Sequence, residues 1–170
     1  SLDMRFDDKD DGLTAQEIIE NSSVRELTNI FNEFGEERNS FRIARAIKES
    51  SEEINADRLV SIISRMTAYK YRIKTYSRIF QALRIKTNNE LEHLESFLDD
   101  FMNFLKPNGR IVIISYHSME DRMVKHKFKA LKLNKELKVL SKKPFIPTDQ
   151  EISDNRRSRS AKMRVGEKIG

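Results

Sequence analysis

Cysteine is absent from this 170-residue chain. That excludes a disulfide framework and any thiolate metal site, and it agrees with a reducing compartment. Glycine is scarce, at five residues, and no Gly-x-Gly pattern occurs, so a glycine-rich nucleotide loop has no candidate. The apolar runs fall far short of the roughly 18 residues that span a bilayer, and no signal-peptide pattern opens the chain. Histidine is limited to His93, His117 and His126, whose spacing is not that of a zinc site, so no metal centre is expected.

Charge, by contrast, is plentiful. The chain is 38% apolar and 35% charged, the balance of a well-solvated globular protein with one domain or two small ones. The net charge of +5 is unevenly spread: residues 1–105 carry 15 basic and 20 acidic side chains, and residues 106–170 carry 17 and 7. Such asymmetry fits a polyanion partner for the C-terminal part; a solubilising surface is the alternative.

Residues 1–11 are polar and aperiodic and read as a loop. A chain opening on Ser1-Leu2 without an initiator methionine reads as a fragment. Helical signals start at Gly12. Thr14 with Glu17 and Ser23 with Glu26 have capping-box spacing. Behind the second box Val24, Leu27, Ile30, Phe31 and Phe34 recur at helical intervals, and Gly35 is placed to end the helix. The pattern predicts a further helix over 36–49 with Phe41, Ile43, Ala44 and Ile47 inward. Arg38, Arg42 and Arg45 would then share its outer face, as a solvated stripe or an RNA contact. Another helix is expected over 56–66. The stretch 67–77 interleaves three tyrosines with three basic residues, which suits stacking on single-stranded nucleic acid or packing on the helices. From Arg78 the chain reads as helical again, through Leu91, Leu94, Leu98, Phe101 and Leu105, until Pro107 and Gly109 stop it.

The stretch Gly109–Lys125 is the focal one. Ile111–Ile114 is an uninterrupted apolar run, the pattern of a strand buried on both faces in a parallel α/β sheet. It breaks at His117-Ser118 into a helix with Ser118 as expected N-cap. Glu120 and Asp121 fall in the first turn, as acid/base groups or as structural partners of the helix dipole. Ligands collect at the carboxyl ends of such strands, so the His117–Arg122 corner is a candidate site. Beyond it a strand is expected near Leu137–Leu140, a helical turn after Thr148, and a closing strand after the basic run Arg156–Arg159.

Eight stretches, in order, resemble the MraW/RsmH-type ribosomal-RNA cytosine-N4 methyltransferases. They are Leu2-Asp3-Met4-Arg5, Gly12-Leu13-Thr14-Ala15, Gly35-Glu36-Glu37-Arg38, Arg42-Ile43-Ala44-Arg45-Ala46-Ile47, Phe80-Gln81-Ala82-Leu83-Arg84-Ile85, Asn88 with Glu90-Leu91, Ser115–Arg122, and Arg157–Arg164. Departures are conservative: Phe6 for methionine, Tyr116 for phenylalanine, Met119 for leucine.

The resemblance implies an α/β fold: the C-terminal half of a Rossmann-type S-adenosylmethionine-dependent methyltransferase with an inserted all-helical domain. Residues 1–11 would leave the N-terminal half, 12–77 would form the helical substrate-recognition insert, and 78–170 would close the Rossmann-type domain. It implies methylation of the N4 amine of a cytidine in 16S-type small-subunit ribosomal RNA, in the bacterial cytoplasm or an organelle, with no membrane partner and dimerisation left open. The family's cofactor loop precedes Leu2-Asp3-Met4-Arg5, so no cofactor-binding residue is expected here, and the chain alone is expected to be inactive. Asp3 and Arg5, which follow on the family's catalytic strand, are the catalytic candidates. His117, Ser118, Arg122, Arg157, Arg159, Lys162 and Arg164 are the candidates for gripping RNA, and Arg84 and Asn88 for buttressing the insert. The alternative is a truncated, non-catalytic RNA-binding remnant or one half of a split protein.

Overall fold

The computed structural model of the protein describes residues 1–7, 9 and 11–170. Two compact units divide the chain, Ser1–Glu90 and Leu91–Gly170. The first is helical: α1 (Ala15–Asn21), α2 (Val24–Glu33), α3 (Ser40–Lys48), α4 (Ala56–Met66) and α5 (Arg72–Thr87). After α6 (Glu90–Phe104), the second holds β1 (Arg110–Ser115), α7 (Ser118–Leu133), β2 (Leu137–Val139), α8 (Asp149–Asp154) and β3 (Lys162–Lys168). No helix among the described residues is long and apolar enough to cross a membrane.

Helix starts follow the caps that the sequence carries. Thr14 and Ser23 each accept from the backbone N–H three residues on, and Glu17 and Glu26 reach back to complete both boxes. Asn55 caps α4 in the same way through Arg58 N at 2.9 Å. Helix ends are met by lysines. Lys48 Nζ donates to the carbonyls of Ile19 and Glu20 in the last turn of α1, and Lys168 Nζ donates to those of Met102 and Leu105 at the end of α6. A cation there satisfies orphan carbonyls and complements the dipole.

α2 ends at Glu33 with Phe34 as its C-cap, directly before Gly35 as expected, but Gly35 does not supply the left-handed turn. The left-handed residue is Glu36, at φ 50°, while Gly35 is there for closeness. A Cβ on Gly35 would sit 2.7 Å from the carbonyl oxygens of Phe31 and Arg78, so only glycine lets α5 lie against the end of α2. Two expectations fail nearby. Phe41 is 56% exposed, because the inward stripe of α3 runs through Ile43, Ala44 and Ile47; and α3 starts at Ser40, leaving Arg38 ahead of the helix. The stretch expected as a link at 67–77 is a 3-10 turn, Tyr69–Tyr71, leading into α5. That helix buries Ile79, Ala82 and Leu83 in the helical core, within the compact unit that runs to Glu90.

The loop expected over 1–11 includes residues 8 and 10, which lie outside the described residues. Its start is docked rather than loose. Leu2 is buried, and the carbonyls of Leu2 and Asp3 accept from Gln16 N and Ala15 N at 2.9 and 2.8 Å. Asn88 holds the other end: its Oδ1 accepts from Phe6 N at 2.8 Å, and its Nδ2 donates to the carbonyls of Met4 and Arg84. Between these anchors Met4 takes φ 67°, a left-handed conformation that a non-glycine residue adopts only where its surroundings impose it.

In the second unit the sheet order is β1-β3-β2, with β3 antiparallel to both neighbours. The parallel pairing expected for β1 does not occur among the described strands, and β1 is an edge. Only one of its faces is covered: Ile111 and Ser115 are buried, while Val112 and Ile114 are 55% and 52% exposed. The covered face packs with Val124, Phe128 and Leu131 of α7 and Leu98 and Phe101 of α6, and the Phe101 and Phe128 rings lie 6.1 Å apart. Gly166 of β3 lies directly under Leu137, whose side chain a Cβ would meet at 2.7 Å.

Candidate nucleic-acid interface

β1 delivers the chain to a sharp corner, Tyr116-His117, from which α7 departs. The helix is capped by His117, not by Ser118 as expected: the ring Nδ1 accepts from Glu120 N at 3.4 Å. Glu120 returns the contact, its Oε2 accepting from Tyr116 N at 2.8 Å and His117 N at 3.2 Å. A capping box of this kind satisfies orphan backbone donors at the start of the helix, and it assigns Glu120 to holding the corner. The His117 side chain is 6% exposed. It is therefore largely part of the wall, and Tyr116 beside it is exposed.

Asp121 is also structural. Arg164 of β3 donates through Nε at 2.7 Å and through its NH2 group at 3.2 Å to the two carboxylate oxygens, and Lys162 Nζ stands 3.7 Å away. Burial by itself would raise the Asp121 carboxyl. The Arg164 hydrogen bonds and charge, with help from Lys162, outweigh it and hold the pKa below the ordinary carboxylate value. This two-point fork ties α7 to β3. It also corrects the expected role of Arg164: the residue is 8% exposed with its guanidinium engaged by Asp121, so it positions its neighbours instead of meeting a phosphate.

The basic run before β3 forms a 3-10 turn, Arg156–Ser160. Asn155 caps it by accepting from Arg157 N at 3.1 Å, and Ser158 turns inward, its hydroxyl donating to Asn155 O at 2.8 Å. With Ser158 buried, Arg156, Arg157 and Arg159 are all exposed. The α7 corner and this turn face each other across a cleft of about 360 Å³. His117, Ser118, Arg159 and Lys162 give it polar and cationic groups, and Tyr116, Ile146, Pro147 and Ile152 give it apolar walls.

Four of the seven expected RNA-gripping residues thus share one cleft: His117, Ser118, Arg159 and Lys162. Arg122 on α7 and Arg157 on the turn are exposed but do not line it. Asp3 and Arg5 belong to the helical unit, where they pair with each other: Arg5 Nε and its NH2 group donate to Asp3 Oδ1 and Oδ2 at 2.7 and 2.9 Å. That hydrogen bonding holds the Asp3 carboxyl below its ordinary pKa, so it is a weak proton acceptor near neutrality. Arg84 pairs with Glu90 at 2.7 Å, and its carbonyl accepts from Asn88, the residue that holds the segment carrying Asp3. The cleft residues that sequence patterns did not single out are the Ile146-Pro147 pair and Ile152. Their signals are an apolar pair, Phe145-Ile146, bracketed by prolines, and an isoleucine alone in a polar stretch.

An exposed aromatic ring beside two cations and an apolar wall suits a nucleic-acid segment. Such a ring can stack on a base, and such cations can neutralise phosphates. The chain is similar to known proteins. The profile of the MraW methylase family matches residues 1–169. Ribosomal RNA small subunit methyltransferase H of Nostoc punctiforme is 49% identical over 172 residues, covering 99% of this chain and 56% of that protein. The proteins of the same name from Trichodesmium erythraeum and Gloeothece citriformis are 46% and 47% identical, covering 99% and 98% of this chain and 59% and 56% of their own lengths. The chain therefore spans a little over half the length of these curated relatives.

Proposed function

The chain belongs to the MraW methylase family, and we propose that within its full protein it grips small-subunit ribosomal RNA while the N4 amine of a cytidine is methylated. The observation that carries this reading is the cleft between the α7 corner and the Arg156–Ser160 turn, where Tyr116, Arg159 and Lys162 converge. Cytosine N4 is a poor nucleophile because its lone pair is delocalised into the ring, so much of the barrier is met by holding the amine in line. Taking the base out of its stack costs a few kcal/mol. Stacking on Tyr116 and phosphate contacts from Arg157, Arg159 and Lys162 would offset that cost. Such contacts set register and carry no base identity.

S-adenosylmethionine is the donor we infer for the reaction. The described residues do not fit its cradle: no glycine has a positive φ, Gly35 and Gly166 are used for close packing, and Gly109 closes the turn before β1. We therefore assign donor binding and methyl transfer to other parts of the protein, and substrate grip to this chain. The reading of the second unit as the closing part of a Rossmann-type sheet is supported by β1. It runs in the same direction as β2 about a central antiparallel β3 and leaves Val112 and Ile114 uncovered, as expected where further strands and a helix add. Asp3 and Arg5 remain our candidates for the substrate end of the reaction pocket, held by Asn88.

The test is methylation of protein-free small-subunit ribosomal RNA by the full-length protein with the donor, read as N4-methylcytidine by mass spectrometry. Arg157→Ala with Arg159→Ala is expected to weaken RNA binding and to lower the salt slope by about 0.7 for each single-strand phosphate left without its cation. Absence of any modified cytidine would overturn the proposal.

A further inference from the structure

A second cationic feature lies further along α7, and the cleft does not include it. Lys125, Lys129 and Lys132 stand at i, i+4 and i+7, one stripe of the helix. With Lys142, from the loop after β2, they surround a groove of about 180 Å³ floored by Phe128 and Val139. All four lysines are exposed, and their ammonium groups make no hydrogen bond or ion pair among the described residues. Of the unit's other lysines, Lys127 pairs with Asp99 at 2.7 Å and Lys168 donates to two carbonyls, and those left exposed among the described residues do not line this groove. Four cations drawn around one groove from two elements repel one another, and an anion seated between them relieves that repulsion.

The groove also adjoins the cleft. Lys162 lines the cleft and Arg164 lines the groove. They are alternate residues on one face of β3, about 7 Å apart along the strand. Along α7, Ser118 to Lys132 covers roughly 21 Å at the usual helical rise. Several consecutive phosphates of a single strand fit that length.

We propose that Lys125, Lys129, Lys132 and Lys142 form a second phosphate track, along which single-stranded RNA continues from the cleft. This rests on the reading of the cleft as an RNA site. The groove receives the backbone of nucleotides flanking the one in the cleft, with a ribose edge against Val139 and the phosphates between the lysines. Its contribution is affinity that grows with RNA length.

The experiment compares a 20-nucleotide single-stranded RNA with a trinucleotide, each titrated into the full-length protein over a salt series. Changing all four residues, as Lys125→Ala, Lys129→Ala, Lys132→Ala and Lys142→Ala, is expected to cut the affinity advantage of the long RNA at least tenfold. It should also lower the long-RNA salt slope by about 2 to 3, at about 0.7 per phosphate. The four Lys→Arg changes are expected to restore both. An unaltered advantage and slope in the alanine variant, while Arg157→Ala with Arg159→Ala still weakens binding, would overturn the track and leave the cleft standing. If the unaltered protein binds neither RNA, both readings fall. Circular dichroism checks that the surface changes leave the fold intact.

Discussion

The helical unit gathers seventeen buried apolar residues, from Leu2 to Leu83, into one cluster, whereas the sheet unit gathers seven. Residues of the first cluster come from every helix between α1 and α5, so each helix finds its apolar stripe covered by another. The second unit covers one face of a three-stranded sheet and leaves Val112 and Ile114 of the edge strand open. To join its elements it adds a polar fastener, the Asp121–Arg164 fork, in place of more apolar contact. The contrast separates a unit whose core is closed from one whose sheet is built to be extended. The charges agree: residues 1–90 carry 15 basic and 16 acidic side chains, and residues 91–170 carry 17 and 11. The basic excess lies with the open sheet.

The largest effect is expected where the sheet unit depends on that one fastener. Asp121→Ala strands the guanidinium of Arg164, which is 8% exposed, and should cost about 3–5 kcal/mol in urea unfolding. The pH dependence has a fixed sign. Because the folded pKa of Asp121 is depressed, its stabilisation is fully present above the unfolded value of about 3.9. It is lost as pH falls through the lower folded value. Asp121→Asn should remove that acid-side loss, and a variant as acid-sensitive as the parent would sink the assignment.

Next in size is a test of the closed core. Leu59→Ala removes a fully buried side chain from α4 and should cost about 2–5 kcal/mol. Ile114→Ser on the open face of β1 should cost no more than about 0.5 kcal/mol in this chain, and distinctly more in the full-length protein if further elements cover that face. Equal costs for Ile114→Ser in the two proteins would break the comparison. The smallest effect is local: Ser23→Ala removes the cap of α2 and should cost about 1 kcal/mol, measured as a shift of the denaturation midpoint.

Much of this architecture is legible in the sequence because caps and stripes are local. The Thr14 and Ser23 boxes, the bounds of α4 and the turn opened by Thr148 follow from residues three or four apart. What depends on a distant partner does not show. Ile111–Ile114 has no polar alternation, so nothing in it tells which face α7 covers. Gly35 reads as a helix stop, yet its bare Cα is needed also against the carbonyl of Arg78, 43 residues on. His117 is an uncommon N-cap, so Ser118 draws the eye. Arg164 stands in a basic run that looks uniformly exposed, and only the β3 register turns it inward to Asp121. Within the cleft, Arg159 and Lys162 stand out by charge, but Ile146 and Pro147 are recruited by a loop whose path the sequence does not encode locally.

The Asn88 clamp has a consequence for the order in which the chain assembles. One carboxamide joins the Met4–Phe6 backbone to the end of α5 across more than eighty residues. Closing so long a loop costs entropy that is returned only once both ends are shaped. Helices α1 and α5 must already stand before Leu2 can seat and Met4 can take its left-handed turn. The segment bearing Asp3 and Arg5 is therefore among the last parts of the helical unit to become native and among the first to be released. A hydrogen-exchange experiment would see the amide of Phe6 open ahead of those in α2 and α5.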